Sequence, residues 1–344
     1  MNPLIKSPKF SKKFDFASKH WINENLTLKI PQEFPTIPMA LSYLNDKVWS
    51  KATTVTLLID SGIYDVTSFG PIRVIHDIVL EGKTTVTKTI TGLVSTTGSA
   101  GNWSLTYNVS DIIDLKIGML INIPYPITGT GDCNHHRGCW EITDLPTSTR
   151  ITIKNTNKKA TFTSTVTAGT INVPLTQLKT TSDFGIFYFE NCSAEIKNIA
   201  LKGNSTTINY SNTAITLSNS QIIAENVKIN RFYIGAYSTS TISRIFPPVQ
   251  ATPMLSISNC VQGINGAIMS KNRSIQTTGC IEIGTISVLG NTISIIGIES
   301  CFLGNGTDII ASNGGYIHLR DSIYETTSPA INTVGNGNSY INST

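Results

Sequence analysis

Charged side chains are scarce in this sequence, and no long apolar run occurs in it. Asp, Glu, Lys and Arg make up 14% of the 344 residues, against roughly 25% in an average domain. Long amphipathic helices need such residues on their solvent-facing side, so the scarcity argues against a helical protein. A segment of about 18 apolar residues is also missing, so no transmembrane helix is predicted.

Residues with hydroxyl and amide groups, together with glycine, take the place of the missing charges. Apolar residues amount to 40% of the chain, which is enough for a sizeable core. A surface of Ser, Thr and Asn favours strands joined by turns, so we expect an all-β protein. The net charge of +4 is too small to indicate nucleic-acid binding, and no glycine-rich phosphate loop connects a strand to a helix.

The first residues of the chain are basic and aromatic. Five lysines accompany a single acidic residue, Asp15, in the first 20 positions. Residues 1–28 are predicted to form an arm that docks on a partner protein, and packing over the end of the fold is the alternative. No apolar signal segment follows Met1, as expected of a protein assembled in a cytoplasm and released by lysis. A missing precursor segment would explain the same feature.

One helix is predicted between residues 33 and 49, where Thr36 can act as the N-cap. Strands at 54–59 and 72–75 follow, and Ile78-Val-Leu-Glu-Gly82 ends this region. The order of Phe34-Pro-Thr-Ile-x-x-Ala-Leu41, a strand, Gly62-x-Tyr64 and the last motif resembles the opening of pectin-methylesterase-like and phage tailspike β-helices. The resemblance implies a right-handed parallel β-helix over residues 29–94, with the helix as the cap of its open end.

Residues 95–178 depart from this pattern. Short alternating segments at 103–109, 119–123, 140–142 and 150–154 predict strands joined by turns. We interpret this part as a small β-rich insertion that leaves an early coil of the β-helix.

A repeated motif indicates that the β-helix continues through residues 179–344. Six segments align on their last residues, which are Ile199, Val227, Cys260, Cys280, Cys301 and Ser322. Their successive spacings are 28, 33, 20, 21 and 21 residues, as expected of a coil of roughly 20 residues with loop extensions. The positions three and five residues earlier are mostly apolar, and their separation of two residues is in keeping with the period of strands.

The alignment accounts for four of the six cysteines. Cys260, Cys280 and Cys301 share one inward column, where a thiol serves as a small buried apolar group, and Cys192 is expected to do the same. For the segment Cys133-Asn-His-His-Arg-Gly-Cys139 three alternatives stay open: a zinc site, a disulfide, or two separate thiols. We predict neither a bound metal nor a cofactor.

The same short segment is the first candidate for glycan binding. Arg and His side chains donate hydrogen bonds to sugar hydroxyls and carboxylates, and aromatic rings stack on sugar faces. We predict an exposed loop tip that presents four such side chains: His135, His136, Arg137 and Trp140.

Carboxylates near the end of the chain form a candidate catalytic set. Glycosidases use two carboxylates about 5 Å or about 6.5–9.5 Å apart, and these separations correspond to one or two coils of a β-helix. Glu299 can pair with Asp321 or Glu325 in this way. The alternative is a solvated surface on which Glu299 pairs with Arg320, one coil away.

The resemblance also implies a function. Tailspike-type proteins are homotrimers that dock to a phage tail through their N termini and act outside the cell. We therefore expect a virion tail fibre or tailspike that binds host surface polysaccharide, contacts other tail proteins through its arm, and engages neither membrane nor nucleic acid. Two alternatives remain: a polysaccharide depolymerase, hydrolase or lyase, on the same fold, and a purely structural virion or adhesin module.

Overall fold

The computed structural model describes residues 20–99, 102–124, 127–131, 133–155, 162–204 and 212–238, and beyond these only strand segments and residue 260. Nearly all regular structure in these residues is β, which confirms the predicted all-β class. The described part has one α-helix, α1 (Ile37–Leu44), and short 3₁₀ helices at Thr67–Phe69 and Cys133–His136. None of its helices has the length and apolar character needed to cross a membrane.

The strands are numbered in chain order. The first are β1 (His20–Ile22), β2 (Leu26–Ile30), β3 (Lys47–Trp49), β4 (Val55–Ile59), β5 (Gly62–Asp65), β6 (Ile72–Val74) and β7 (Val79–Gly82). The next are β8 (Thr85–Ser99), β9 (Asn102–Val109), β10 (Leu120–Ile123), β11 (Thr128–Thr130), β12 (Gly138–Thr147), β13 (Arg150–Asn155) and β14 (Thr165–Pro174). Then come β15 (Thr176–Lys179), β16 (Phe187–Glu190), β17 (Ser193–Lys197), β18 (Ile199–Lys202), β19 (Thr213–Ser218), β20 (Gln221–Glu225), β21 (Val227–Asn230) and β22 (Ile234–Ser238). The last are β23 (Arg244–Phe246), β24 (Leu255–Ser258), β25 (Gln262–Ala267), β26 (Ile286–Asn291), β27 (Ile295–Glu299), β28 (Phe302–Leu303), β29 (Ile309–Ser312), β30 (Tyr316–Arg320), β31 (Ile323–Tyr324), β32 (Ile331–Val334) and β33 (Tyr340–Ser343).

Most strands outside the insertion pair in parallel and form three large sheets. Sheet 1 has the order β2-β4-β7-β17-β20-β23, sheet 2 the order β5-β15-β18-β21-β24, and sheet 3 the order β6-β16-β19-β22-β25-β26-β29-β32. The chain runs from sheet 2 to sheet 3 to sheet 1, first along β5 to β7 and then repeatedly from β15 to β25. Smaller parallel pairings join β1 to β3, β30 to both β27 and β33, and β28 to β31.

One apolar core lies between the three sheets. Leu57 of sheet 1, Ile229 of sheet 2 and Phe189 of sheet 3 have no exposed surface and belong to the same apolar cluster. The alternate residues of their strands face outward, so each sheet has one core face and one outer face. Because apolar residues occupy every second position in these segments, each segment forms a strand with one apolar face that packs in the core.

Helix α1 covers part of this core. Its residues Ala40 and Leu44 have no exposed surface and join the same cluster. The hydroxyl oxygen of Thr36 accepts a hydrogen bond from the Met39 N–H at 3.4 Å, so the predicted helix and its N-cap are confirmed. Strands β1 and β2 occupy residues that were expected to belong to the arm, so the arm boundary at residue 28 is corrected. Residues 1–19 lie outside the described residues.

The insertion closes into an antiparallel barrel of six strands. The order is β10-β12-β13-β9-β8-β14, and β14 pairs again with β10 through Asn172 and Asn122. A second apolar cluster fills the barrel and includes Trp140 and Tyr107, neither of which has exposed surface. Its strands extend from β8 to β14, so the insertion spans residues 85–174 rather than the 95–178 expected from the sequence.

The barrel packs on the outer face of sheet 2. The Gln177 side chain accepts a hydrogen bond from the Leu120 N–H at 2.9 Å and donates one to the Leu120 carbonyl at 3.3 Å. Asn230 donates to the carbonyl of Cys139 at 2.7 Å. Lys228 occupies the neighbouring outward position of β21 and has no exposed surface. Buried polar contacts therefore attach the barrel to the parallel sheets.

Asparagines form the turns at both edges of sheet 1. Asn191, Asn198, Asn219 and Asn226 have backbone φ angles between 49° and 56°, in the left-handed region that asparagine tolerates. Asn219 donates a side-chain hydrogen bond to Asn191 at 3.3 Å, and Asn226 donates one to Asn198 at 2.9 Å. Two short asparagine ladders therefore stabilise the corners between sheets.

The predicted repeat is right at its first step and wrong at its second. Ile196 on β17 pairs with Ala224 on β20, as aligned. The next strand of sheet 1 is β23, whereas the aligned residue Ile257 lies in sheet 2 opposite Ile229. Strands of all three sheets share one inward alternation, so the sequence pattern does not distinguish a sheet 2 strand from a sheet 1 strand.

Candidate functional site

An open groove of about 340 Å³ lies on the outer face of sheet 1. The residues that line it include Trp49, Lys51, Asp77, Glu195 and Ile223, and we call it the Trp49 groove. Val79, Glu195 and Ile223 are Cα partners on three successive strands, β7, β17 and β20. Because neighbouring strands lie about 4.8 Å apart, these residues form a regular row across the sheet.

The Trp49 side chain is half-buried and is supported by the end of helix α1. Its ring lies 5.6 Å from the His76 ring, at an interplanar angle of 45°. The His76 Nε2 atom is 3.0 Å from Oδ1 of Asn45, the C-cap residue of the helix. Burial lowers the pKa of His76, opposed by the charge of Asp77, so the ring that supports Trp49 is neutral at pH 7.

The two carboxylates of the groove are held in place by hydrogen bonds. Asp77 Oδ1 accepts from the Ser193 backbone N–H at 2.6 Å, which ties the loop before β7 to the start of β17. Glu195 Oε2 lies 2.6 Å from Lys197 Nζ. Both carboxylates line the groove, and a carboxylate with one such partner can accept further hydrogen bonds from hydroxyl groups.

A charged column runs beside the groove on the same face. Lys197 has Glu81 as its Cα partner on one side and Glu225 on the other. The pKa of Lys197 is raised, chiefly by its hydrogen bond to Glu195 and also by the charges of Glu225 and Glu81, against the opposing effect of burial. One ammonium group thus faces three carboxylates, and this face attracts hydroxyl donors more than anions.

The predicted glycan-binding tip is not exposed. His135, Arg137 and Trp140 are 5%, 4% and 0% exposed, and His136 is fully buried. The prediction of an exposed tip is therefore wrong, and the glycan-binding hypothesis for these four residues loses the exposure on which it depended. The apolar stretch after Gly138 forms barrel strand β12, which draws the preceding 3₁₀ helix into the barrel interior.

His136 connects barrel strand β9 to the residue that precedes β14, from the inside of the barrel. Its Nδ1 atom is 2.6 Å from the hydroxyl of Tyr107, and its Nε2 atom is 2.7 Å from the hydroxyl of Ser164. The Trp140 indole N–H donates to the His136 carbonyl at 2.9 Å. Two of the four groups that suggested sugar recognition, the His136 ring and the Trp140 indole, therefore have their hydrogen-bond partners within the barrel.

The cysteines of the described residues are all thiols, so the disulfide alternative for Cys133 and Cys139 is wrong. Cys133 belongs to the barrel core, whereas Cys139 packs between Leu120 and Ala200 at the contact with sheet 2. No group of three or more His, Cys, Asp or Glu side chains in the described part of the chain is arranged to hold a metal ion. Cys192 and Cys260 are buried in the core between the sheets, as predicted, and Cys280 and Cys301 lie outside the described residues.

The predicted catalytic carboxylates fall at the end of the chain. Glu299 ends β27, and its Cα partner on β30 is Arg320, which is the adjacency expected from the sequence. Asp321 and Glu325 lie outside the described residues. Their role as a catalytic set with Glu299 remains a prediction.

The Trp49 groove was not predicted from the sequence. Trp49 and Asp77 follow the cap helix and a short strand, where no local pattern indicates that they converge. A weak signal was present in Glu195 and Lys197, which occupy alternate, outward positions of a predicted strand. Only the pairing of β17 with β7 brings these residues next to Asp77.

No protein-family model matches the chain, and no curated protein matches it. Among solved structures, the chain is similar to the Gp54 tailspike of Acinetobacter baumannii bacteriophage AP22 in complex with A. baumannii capsular saccharide, with a TM-score of 0.24 and 13% identity over 86% of this chain and 57% of that chain. It is also similar to the tailspike protein gp49 from Pseudomonas phage LKA1, with a TM-score of 0.24 and 10% identity over 90% of this chain and 63% of that chain. The chain spans about three fifths of the length of these two proteins.

Proposed function

We propose that this protein is a tail fibre or tailspike of a phage virion, that it binds host surface polysaccharide, and that the Trp49 groove is a binding site. The observation that carries the proposal is the composition of this groove. A half-buried indole ring stands beside a carboxylate pair and a lysine on an open sheet face. A sugar ring offers an apolar face for stacking and hydroxyls for hydrogen bonds, and the groove supplies a partner for each.

The proposed architecture is a right-handed parallel β-helix. The regular passage of the chain from sheet 2 to sheet 3 to sheet 1 supports it, together with the shared core. In this proposal the N-terminal segment docks to other tail proteins, α1 caps the first coils, the barrel is an insertion, and residues 179–344 form the shaft. The proposed assembly is a homotrimer, which light scattering would detect as a particle of about three times 37.3 kDa.

Binding to a printed array of bacterial capsular and cell-wall polysaccharides tests the function. The strongest ligand is then titrated by calorimetry against the wild type and the variants Trp49→Ala and Glu195→Gln. We expect Trp49→Ala to weaken binding about tenfold, because stacking and burial of an aromatic ring contribute about 1–2 kcal/mol. Phe69→Ala is the matched control, since this side chain is 40% exposed and lies outside the groove. Equal affinities for wild type and Trp49→Ala would contradict the assignment.

A second candidate function is cleavage of the bound polysaccharide. It is favoured by the presence of two carboxylates, Asp77 and Glu195, in one groove. Release of reducing ends from the array ligand would be measured for Asp77→Asn, Glu195→Gln and the combined change of Glu299, Asp321 and Glu325 to amides. Loss of activity in only one of these sets would locate the catalytic carboxylates. No release by the wild type would leave binding as the function.

A further inference from the structure

The outer face of sheet 3 carries a second groove, of about 250 Å³, whose walls are aromatic. We call it the aromatic groove and define it by Phe184, Tyr188, Thr216 and Tyr237. None of the residues that line it carries a charge. In this respect it differs from the Trp49 groove, whose lining includes two carboxylates and a lysine.

The strand register arranges the groove as a row. Tyr188, Thr216 and Tyr237 are Cα partners on the successive strands β16, β19 and β22. With about 4.8 Å between neighbouring strands, the two tyrosines lie about 10 Å apart with a hydroxyl between them. All three side chains are half-buried, so their positions are restricted while one surface of each remains accessible.

The fourth residue, Phe184, is 52% exposed and stands at the edge of the row. Its backbone N–H donates to the hydroxyl of Ser182 at 3.4 Å, and that hydroxyl lies 2.8 Å from the hydroxyl of Thr180. At Gly185 a Cβ atom would come within 1.7 Å of the Thr213 carbonyl oxygen, so the glycine allows the loop to pass directly against β19. The local structure therefore fixes an exposed aromatic ring beside the tyrosines.

We infer that the aromatic groove binds uncharged sugar residues of a polysaccharide. This inference rests on the proposed function and assigns a substrate class to a second surface. Two tyrosine rings in one row offer stacking faces for two sugars of one chain, and the intervening hydroxyl of Thr216 accepts and donates hydrogen bonds. An acidic sugar would find no cation in the lining, because the nearby Arg73 is paired with Glu190 at the end of the row.

A second copy of this chain is a less suitable occupant. A stable subunit interface needs roughly 800 Å² from each partner and an apolar centre. The outward row of sheet 3 instead alternates polar with aromatic positions, from Arg73 through Tyr188 and Thr216 to Tyr237. Single rings separated by hydroxyls suit a sugar chain, which presents apolar faces and hydroxyl edges in turn.

The experiment compares charged and uncharged glycans on one array. The wild type, Tyr188→Ala, Tyr188→Phe, Tyr237→Ala, Phe184→Ala, Trp49→Ala and the control Phe69→Ala are each applied, and bound uncharged oligosaccharides are titrated by calorimetry. We expect each alanine variant in the groove to weaken binding of uncharged ligands about tenfold, and Tyr188→Phe to weaken it less than threefold because the stacking ring is kept. Circular dichroism and light scattering of each variant check that fold and assembly are unchanged.

The outcomes separate this inference from the proposed function. Weaker binding of uncharged glycans by the alanine variants of Phe184, Tyr188 and Tyr237, with a smaller loss of affinity in Trp49→Ala, would support the inference. Binding of acidic glycans alone, or of uncharged glycans with unchanged affinity in Tyr188→Ala and Tyr237→Ala, would overturn it and leave the proposed function intact. A fall in particle mass in these variants would overturn it in favour of a subunit interface. If the wild type binds no glycan at all, the proposed function itself fails.

Discussion

Replacing Lys228 with methionine should stabilise the protein at neutral pH. Lys228 is fully buried between sheet 2 and the barrel, and burial lowers its pKa from 10.5 to about 8, opposed by the nearby Cys139 thiol. The difference of 2.5 pKa units, at 1.36 kcal/mol for each unit, corresponds to about 3 kcal/mol of destabilisation when the ammonium is charged. Methionine keeps the length of the side chain and removes the charge, so a gain of about 2–3 kcal/mol is expected.

The free energy of unfolding depends on pH because the folded and the unfolded chain release the Lys228 proton at different pH values. Between pH 8 and pH 10.5 the unfolded chain keeps the Lys228 proton and the folded chain loses it, so stability rises with pH in this window. Burial raises the pKa of Cys139 from 9.0 to about 12, so the folded chain keeps the thiol proton while the unfolded chain loses it. This second effect lowers stability from pH 9 upward. The two effects together predict a rise from pH 8 to 9, a plateau to about 10.5, and a fall above it.

Equilibrium unfolding in urea, followed by the fluorescence of the four tryptophans, which include the buried barrel residue Trp140, measures these changes. The wild type should gain about 1 kcal/mol between pH 8 and pH 9, and Lys228→Met should show no such gain. Lys154→Met is the control, since this lysine is exposed on barrel strand β13 and its replacement should change stability by less than about 0.5 kcal/mol. A Lys228→Met variant that is less stable than the wild type at pH 7 would refute the reasoning.

Two further changes test other parts of the fold. His136→Ala removes the shared partner of the Tyr107 and Ser164 hydroxyls, and leaving both buried groups unpaired should lower the free energy of unfolding by about 2–4 kcal/mol, measured by the same fluorescence assay. Thr36→Ala removes the side-chain cap of α1 and should cost about 1 kcal/mol, while Thr36→Ser keeps the cap and should cost much less. An unchanged midpoint for His136→Ala, or equal losses for the two Thr36 variants, would contradict these assignments.

The elements with a clear local pattern were the ones that sequence reasoning predicted. The N-cap at Thr36 and the apolar spacing after it define α1, and alternation marks β4, β9 and β13. The pairing between strands depends on residues far apart in the chain, and this is where prediction failed. Asn191 and Asn219, like Asn198 and Asn226, are 28 residues apart, a spacing that could have located both ladders.

Burial of polar groups was the second reason for error. His135, His136 and Arg137 look like surface residues by type, and two adjacent histidines suggest a ligand site. Their burial follows from closure of the barrel, which depends on the pairing of β10 with β14. No local sequence signal indicates that closure. The Trp49 groove was missed for the related reason that its members meet only through the parallel pairing of β7 and β17.

The insertion determines which outer faces remain open to a ligand. Sheet 2 carries the barrel through contacts such as those of Gln177 and Asn230, which leaves the Trp49 groove on sheet 1 and the aromatic groove on sheet 3. These two sheets are joined after β16 by a two-residue turn at Asn191 and Cys192. A polysaccharide that occupied both grooves would cross this corner, where the side chain of Asn219 bonds to Asn191. The asparagine ladder would then set the angle between a charged site and an uncharged one.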